Sequence, residues 1–124
     1  MTATVSPSSF DEIRLVDIEA MDETVRDELP FGVVGLDRDG TTRVYNRTEA
    51  DMAGLDRDSV IGSGFFDTVA QCMNNFMVAQ RFEDEADLDE IVPYVLTLRM
   101  RPTRVRLRLL ARPDASLRFI LIER

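Results

Sequence analysis

Apolar and polar positions alternate most clearly in the last third of the chain. Tyr94, Leu96, Leu98 and Met100 alternate with Val95, Thr97, Arg99 and Arg101. Beyond Arg101-Pro102-Thr103, the residues Val105, Leu107 and Leu109 alternate with Arg104, Arg106 and Arg108. A period of two sends successive side chains to opposite faces of a strand. The pattern therefore predicts two antiparallel strands whose arginine rows face away from the main core. Residues 117–122 are apolar on both faces, which predicts a third strand at the centre of the sheet. Earlier, residues 31–37 predict a strand, and Asp39-Gly40 is the strongest short hairpin signal in the chain. Residues 41–45 form the predicted return strand, on which Val44 and Tyr45 must face opposite sides.

Between these strand groups the pattern turns helical. Asn46 is a helix cap with Glu49 three residues on, the spacing of a capping box, so one reading of Glu49 is purely structural. Gly54, Gly62 and Gly64 break residues 51–64 into short pieces. Residues 65–72 predict a short helix or turn with Phe65, Phe66, Val69 and Cys72 apolar. A longer helix is predicted over residues 74–87, with Phe76, Val78, Ala79 and Phe82 inward. Its acidic end opposes the helix dipole, which favours a stop near Phe82. Before the first strand, Ser9 ahead of Asp11 and Glu12 predicts the start of a short helix with Phe10, Ile13, Val16 and Ile18 on its apolar face. A second helix is predicted over residues 19–28, limited by Pro30.

The result is strand–strand–helices–three strands, an α+β arrangement in the order of a PAS domain. It predicts a five-stranded antiparallel sheet with helices on one face and an N-terminal helical cap on the other. Residues 1–28 are the cap and residues 29–124 the core of a single domain.

Charge sharpens the place of the cap. Residues 94–124 hold eight arginines against Asp114 and Glu123, a balance of +6, so the rest of the chain carries −14 of the net −8. Asp11, Glu12, Asp17, Glu19, Asp22, Glu23, Asp27 and Glu28 crowd the first segment. The cap is therefore expected across the arginine-rich outer face. Exposed ion pairs contribute little, so apolar contacts must do most of the docking.

Composition narrows the function classes. There is no histidine and one cysteine, which removes histidine-based triads, the usual zinc sites and any internal disulfide. Asp37-Arg38-Asp39-Gly40 lacks the later ligands of a calcium loop. An enzyme is not expected. The acidic balance disfavours nucleic acid and anionic membranes as partners. With no apolar run of membrane-spanning length and no signal-peptide pattern, a cytoplasmic protein is expected, either a monomer or a weak dimer.

One group of polar residues remains. Tyr45 and Glu49 flank a strand–helix junction, and Cys72 ends the apolar turn that begins at Phe65. A phenol and a carboxyl group offer two hydrogen bonds to one anionic oxygen, and a thiol offers a covalent tether. Each also has a plain reading: a core tyrosine, a capping glutamate, a buried thiol.

In order along the chain, Leu29-Pro30-Phe31-Gly32, Leu36-Asp37-Arg38-Asp39-Gly40, Tyr45-Asn46 with Glu49, and Val60-Ile61-Gly62 with Phe65-Phe66 carry a family likeness. Val69-Ala70-Gln71-Cys72 and Met100-Arg101-Pro102-Thr103-Arg104-Val105 continue it. Over about three quarters of its length the chain resembles the photoactive yellow protein family, blue-light receptors of PAS fold. The resemblance implies p-coumaric acid in thioester linkage to Cys72. It also implies a phenolate held by Tyr45 and a protonated Glu49, and photoisomerisation followed by proton transfer from Glu49. Phe65, Val69, Ala53, Leu55, Leu96, Leu98 and Met100 would line the pocket. The family usually has proline before the cysteine, where this chain has Gln71. Its threonine beside the tyrosine falls on Ala53, its arginine over the chromophore on Leu55, and two pocket aromatics on Leu96 and Leu98. Met100 matches. The alternative is a PAS ligand-binding or protein-interaction module without the pigment. In either case the signal must pass to a separate downstream protein.

Overall fold

In a computed structural model, residues 9–97 and 101–124 are described. Five strands form one antiparallel sheet: β1 (Gly32–Leu36), β2 (Thr42–Tyr45), β3 (Leu88–Leu96), β4 (Thr103–Ala111) and β5 (Arg118–Glu123). Their order is β2-β1-β5-β4-β3. The strand expected at the centre from its two apolar faces is at the centre, because Ile120 and Ile122 face one layer and Phe119 and Leu121 the other. Gly40 adopts a left-handed φ of 84° in the β1–β2 turn, a conformation glycine reaches without steric cost.

One face packs the helical connection α3 (Arg47–Ala53), α4 (Arg57–Val60), a π turn at Phe65–Val69, a 3-10 turn at Gln71–Met73, and α5 (Ala79–Asp84). Val34, Leu36, Leu107, Leu109, Ile120 and Ile122 meet Phe65, Met73, Val78 and Phe82 there. The opposite face is covered by the N-terminal segment, with α1 (Leu15–Ala20) and α2 (Glu23–Asp27). Phe10, Ile13, Leu15 and Ile18 pack on Val33, Leu110, Phe119 and Leu121.

The cap therefore lies where charge placed it, and, as expected, the acids contribute little to its docking. Asp11 reaches Arg106, whereas Asp17 pairs with Arg14, and Glu23 and Asp27 with Arg57. The arginine row is also not uniform. Arg108 is buried, forks onto Asp89 and donates to the Phe10 carbonyl at 2.9 Å, and the Arg106 guanidinium lies over the Phe10 ring.

Several boundaries differ from expectation, for local reasons. Residues 10–12 form a turn, not the first turn of a helix. α1 starts after Arg14, whose N–H donates to Asp17, so Leu15 is buried and Val16 is exposed. The second helix is confined to α2, capped by Asp22. The helix expected over residues 74–87 shrinks to α5. The Asn75 side chain accepts from the N–H groups of Met77 and Val78 and holds that stretch as a turn. Phe76 is consequently 77% exposed rather than inward. β3 begins at Leu88, six residues before the expected alternation. Pro93 is tolerated because β3 is an edge strand. Leu98 and Met100 lie outside the described residues. No helix among the described residues is long and apolar enough to cross a membrane.

Candidate functional site

Tyr45 is the last residue of β2, and its side chain enters the core on the helical face. Asn46 ends the strand and caps α3, accepting from the Glu49 N–H at 3.0 Å. That cap fixes the first turn of α3 and turns Glu49 inward, where it is 1% exposed. The reach-back half of a capping box is absent. Instead, the Glu49 carboxylate forks onto Arg124, at 2.7 Å from Oε1 to one guanidinium nitrogen and 3.1 Å from Oε2 to the other. The Arg124 side chain is 13% exposed, so this pair is largely removed from water.

β1 makes room for it. A Cβ on Gly32 would run into Glu49 Oε1 and lie 3.0 Å from Glu49 Cδ. Gly32→Ala should therefore displace the carboxylate from Arg124 and cost roughly 1–3 kcal/mol, the range for overpacking a filled interior. Urea unfolding would measure it. A variant as stable as the parent would show that Glu49 does not need this space.

The electrostatics tie Tyr45 into the same group. Burial raises the Tyr45 phenol well above the ordinary tyrosine value, the neighbouring Glu49 charge adds to the rise, and Arg124 opposes it. Among the described residues no hydrogen-bond partner meets the Tyr45 hydroxyl. Burial likewise raises the Glu49 carboxyl, and Arg124 pulls it back without cancelling the rise. The cause in both is the cost of a charge in a low-dielectric interior.

Cys72 sits half-buried in the 3-10 turn, packed against the apolar cluster that contains Tyr45. Its carbonyl accepts from the Tyr94 hydroxyl at 2.5 Å and from the Asn75 amide at 3.1 Å. The Asn75 amide also meets the Tyr94 hydroxyl, at 2.6 Å. Gln71 donates to the Asp67 carbonyl at 2.6 Å across the π turn. The turn bearing the thiol is thus pinned from β3 and from both sides in sequence.

Of the expected lining residues, Phe65 and Leu96 are core members of this cluster, with Leu55 and Val69 partly buried against it. Ala53 is buried on α3, one turn beyond Glu49. Sequence reasoning missed Arg124, Asn75 and Tyr94 as site residues. Tyr94 carried a usable signal, a polar-tipped aromatic on the inward register of β3. Arg124, 75 residues from Glu49, carried none.

Comparison with known proteins bears on this arrangement. Residues 27–121 match the model of the PAS fold family. The chain is 35% identical over 83 residues to photoactive yellow protein of Rhodothalassium salexigens, covering 64% of this chain and 66% of that protein, just short of two thirds. It is 30% identical over 105 residues to photoactive yellow protein of Rhodobacter capsulatus, covering 79% of this chain and 82% of the relative. The chain belongs to the photoactive yellow protein family of the PAS fold. A solved family structure agrees. The photoactive yellow protein domain of the sensor histidine kinase Ppr from Rhodospirillum centenum has a TM-score of 0.79 at 32% identity, covering 86% of this chain and 96% of that one.

Proposed function

We propose that this chain is a blue-light photoreceptor that carries p-coumaric acid as a thioester on Cys72 and signals to a separate protein. The observation that carries the reading is the environment of the Tyr45 phenol. The Tyr45 phenol has no described partner and lies in the field of the buried Glu49, in the cluster against which the pinned Cys72 turn packs. That donor set fits an anionic, ring-shaped, thiol-tethered group. Membership of the photoactive yellow protein family supports it, and a family domain within a sensor histidine kinase supports a signalling partner.

When bound, the pigment supplies a light-isomerisable double bond and a phenolate. Cys72 anchors it: acylation by an activated p-coumaroyl thioester forms the Sγ–acyl bond and releases the donor thiol, which takes the proton Cys72 loses. Tyr45 donates its hydroxyl proton as a hydrogen bond to the phenolate. Glu49, protonated, donates a second, and charge-assisted bonds of this kind are about twice as strong as neutral ones. Phe65, Val69, Ala53, Leu55 and Leu96 exclude water, and Leu98 and Met100 complete the proposed lining. Loss of the Glu49 proton after illumination leaves a buried anion, a local electrostatic trigger of the kind that drives two-state switches.

A pigment-free PAS sensor is the second reading, favoured by one observation: Arg124 already occupies the Glu49 carboxylate. Intact mass and an absorption spectrum after incubation with activated p-coumaric acid separate the two. The first reading expects one p-coumaroyl group, a visible band that bleaches in blue light and recovers in the dark, and neither in Cys72→Ala. Glu49→Gln should shift the band to the red and alter recovery. A folded protein with a free thiol and no adduct rejects the photoreceptor reading.

A further inference from the structure

Arg124 has no role in the scheme above, yet it makes the most buried ion pair among the described residues. Its fork-to-fork geometry suits a carboxylate, because both Glu49 oxygens accept and neither has to donate. The Tyr45 phenol is the other titratable group in the field of that carboxylate, and β1 approaches it at Gly32. Glu49 is therefore a base with its counter-ion in place, beside an unpartnered hydroxyl.

We propose that Arg124 is the positioning residue that keeps Glu49 ionised in the unloaded chain, so that Glu49 deprotonates an incoming neutral phenol and Arg124 remains as counter-ion to the phenolate. This inference rests on the proposed ligand chemistry and assigns where the Glu49 proton comes from. The balance closes within the site. The phenol O–H bond breaks, its proton goes to a Glu49 oxygen, and the electron pair stays on the phenolate. Net charge is unchanged, so a neutral phenol enters without carrying an uncompensated charge into a dry interior. A carboxylate left unpaired would not act this way, since burial alone favours its neutral form.

The test needs no covalent loading. Infrared spectra of the unloaded protein at neutral pH, with Glu49→Gln to assign the signal, should show no protonated-carboxyl band from Glu49. Arg124→Leu should gain that band, and Arg124→Lys should lose it again, a rescue that a merely structural role would not produce. Adding methyl p-coumarate, a neutral phenol that lacks the thioester, should bring up the Glu49 band in the parent protein together with phenolate absorption. Binding should weaken roughly tenfold in Arg124→Leu, the loss of about one charge-assisted interaction. A Glu49 band already present in the unloaded parent overturns the proposal, whether or not Arg124→Leu folds. So does a probe that fails to bind or binds as the neutral phenol. The photoreceptor reading fails on a different observable, the missing adduct at Cys72.

Discussion

Asn46→Ala is expected to cost on the order of 3–5 kcal/mol, because each buried polar group left without a partner costs about 1–3 kcal/mol and neighbours relax only in part. Asn46 is 1% exposed, and its amide is fully used. Its oxygen accepts from the N–H groups of Val33 at 2.9 Å and Glu49 at 3.0 Å. Its nitrogen donates to the carbonyls of Arg26 at 2.8 Å and Phe31 at 3.1 Å. One side chain thus ties the end of α2, the approach to β1, β1 itself and the first turn of α3. The expected loss is a large part of a typical domain's stability of roughly 5–15 kcal/mol. In urea it should appear as a lower midpoint at nearly unchanged slope. Asn46→Ser would keep the helix cap and should recover about 1 kcal/mol. If serine restored full stability, the bonds to Arg26, Phe31 and Val33 would be irrelevant and the linking role would be wrong. Asn46 also links Glu49 to the cap. Asn46 stands between Tyr45 and Glu49 in the chain and bonds to the segment that leads from the cap. A displacement of Glu49 therefore reaches Arg26 and Phe31 through a single buried amide.

The strands were legible where one short-range rule governed them. Asp39-Gly40 marked the β1–β2 turn because only a left-handed residue closes it, and Gly40 has that conformation. The apolar run at the centre of β5 read correctly because both of its faces are covered. β3 extends six residues before its expected start, where Asp89, Glu90 and Pro93 break an apolar pattern. All three are exposed on an edge strand, where the partner row of β4 supplies the pairing that sequence pattern does not express. Phe76 departs from its expected inward place for a similar reason. Its spacing suits a helix face, but Asn75 diverts the backbone hydrogen bonds that a helix needs at that point.

The site divides along the same line. Tyr45, Glu49 and Cys72 stood out because a phenol, a carboxyl group and a lone thiol flank predicted apolar turns. The cap's acidity pointed to the correct face of the sheet, and apolar side chains from Phe10 to Ile18 make most of that contact, as expected. What sequence did not reveal is which cation meets Glu49. Fifteen arginines were available, and only the register of β1 against β5, with Gly32 opposite Ile122, brings the end of the chain to α3. Long-range pairing of this kind depends on the assembled sheet.

Without Arg124, stability should fall as pH rises, the direction opposite to that of a carboxylate whose folded-state value is lowered. Arg124→Leu is expected to cost roughly 3–5 kcal/mol near pH 8, the range for stranding one member of a buried pair. In the parent, burial already raises the Glu49 carboxyl, and Arg124 is what pulls it down. Removing Arg124 raises it further. The folded variant then holds a proton more tightly than the unfolded chain does, so its stability falls as pH rises through the folded-state value. Below that value Glu49 is neutral in the folded state and most of the penalty disappears. Urea unfolding near pH 8 and near pH 5 should therefore show a clearly smaller deficit at the lower pH. Glu49→Gln combined with Arg124→Leu should recover most of the loss at both, since removing a whole buried pair costs far less than removing half of it. An equal deficit at the two pH values would mean that Arg124 supports the fold through packing of its stem alone. A pH-dependent one would identify it as the charge that lets an acid be buried next to Tyr45.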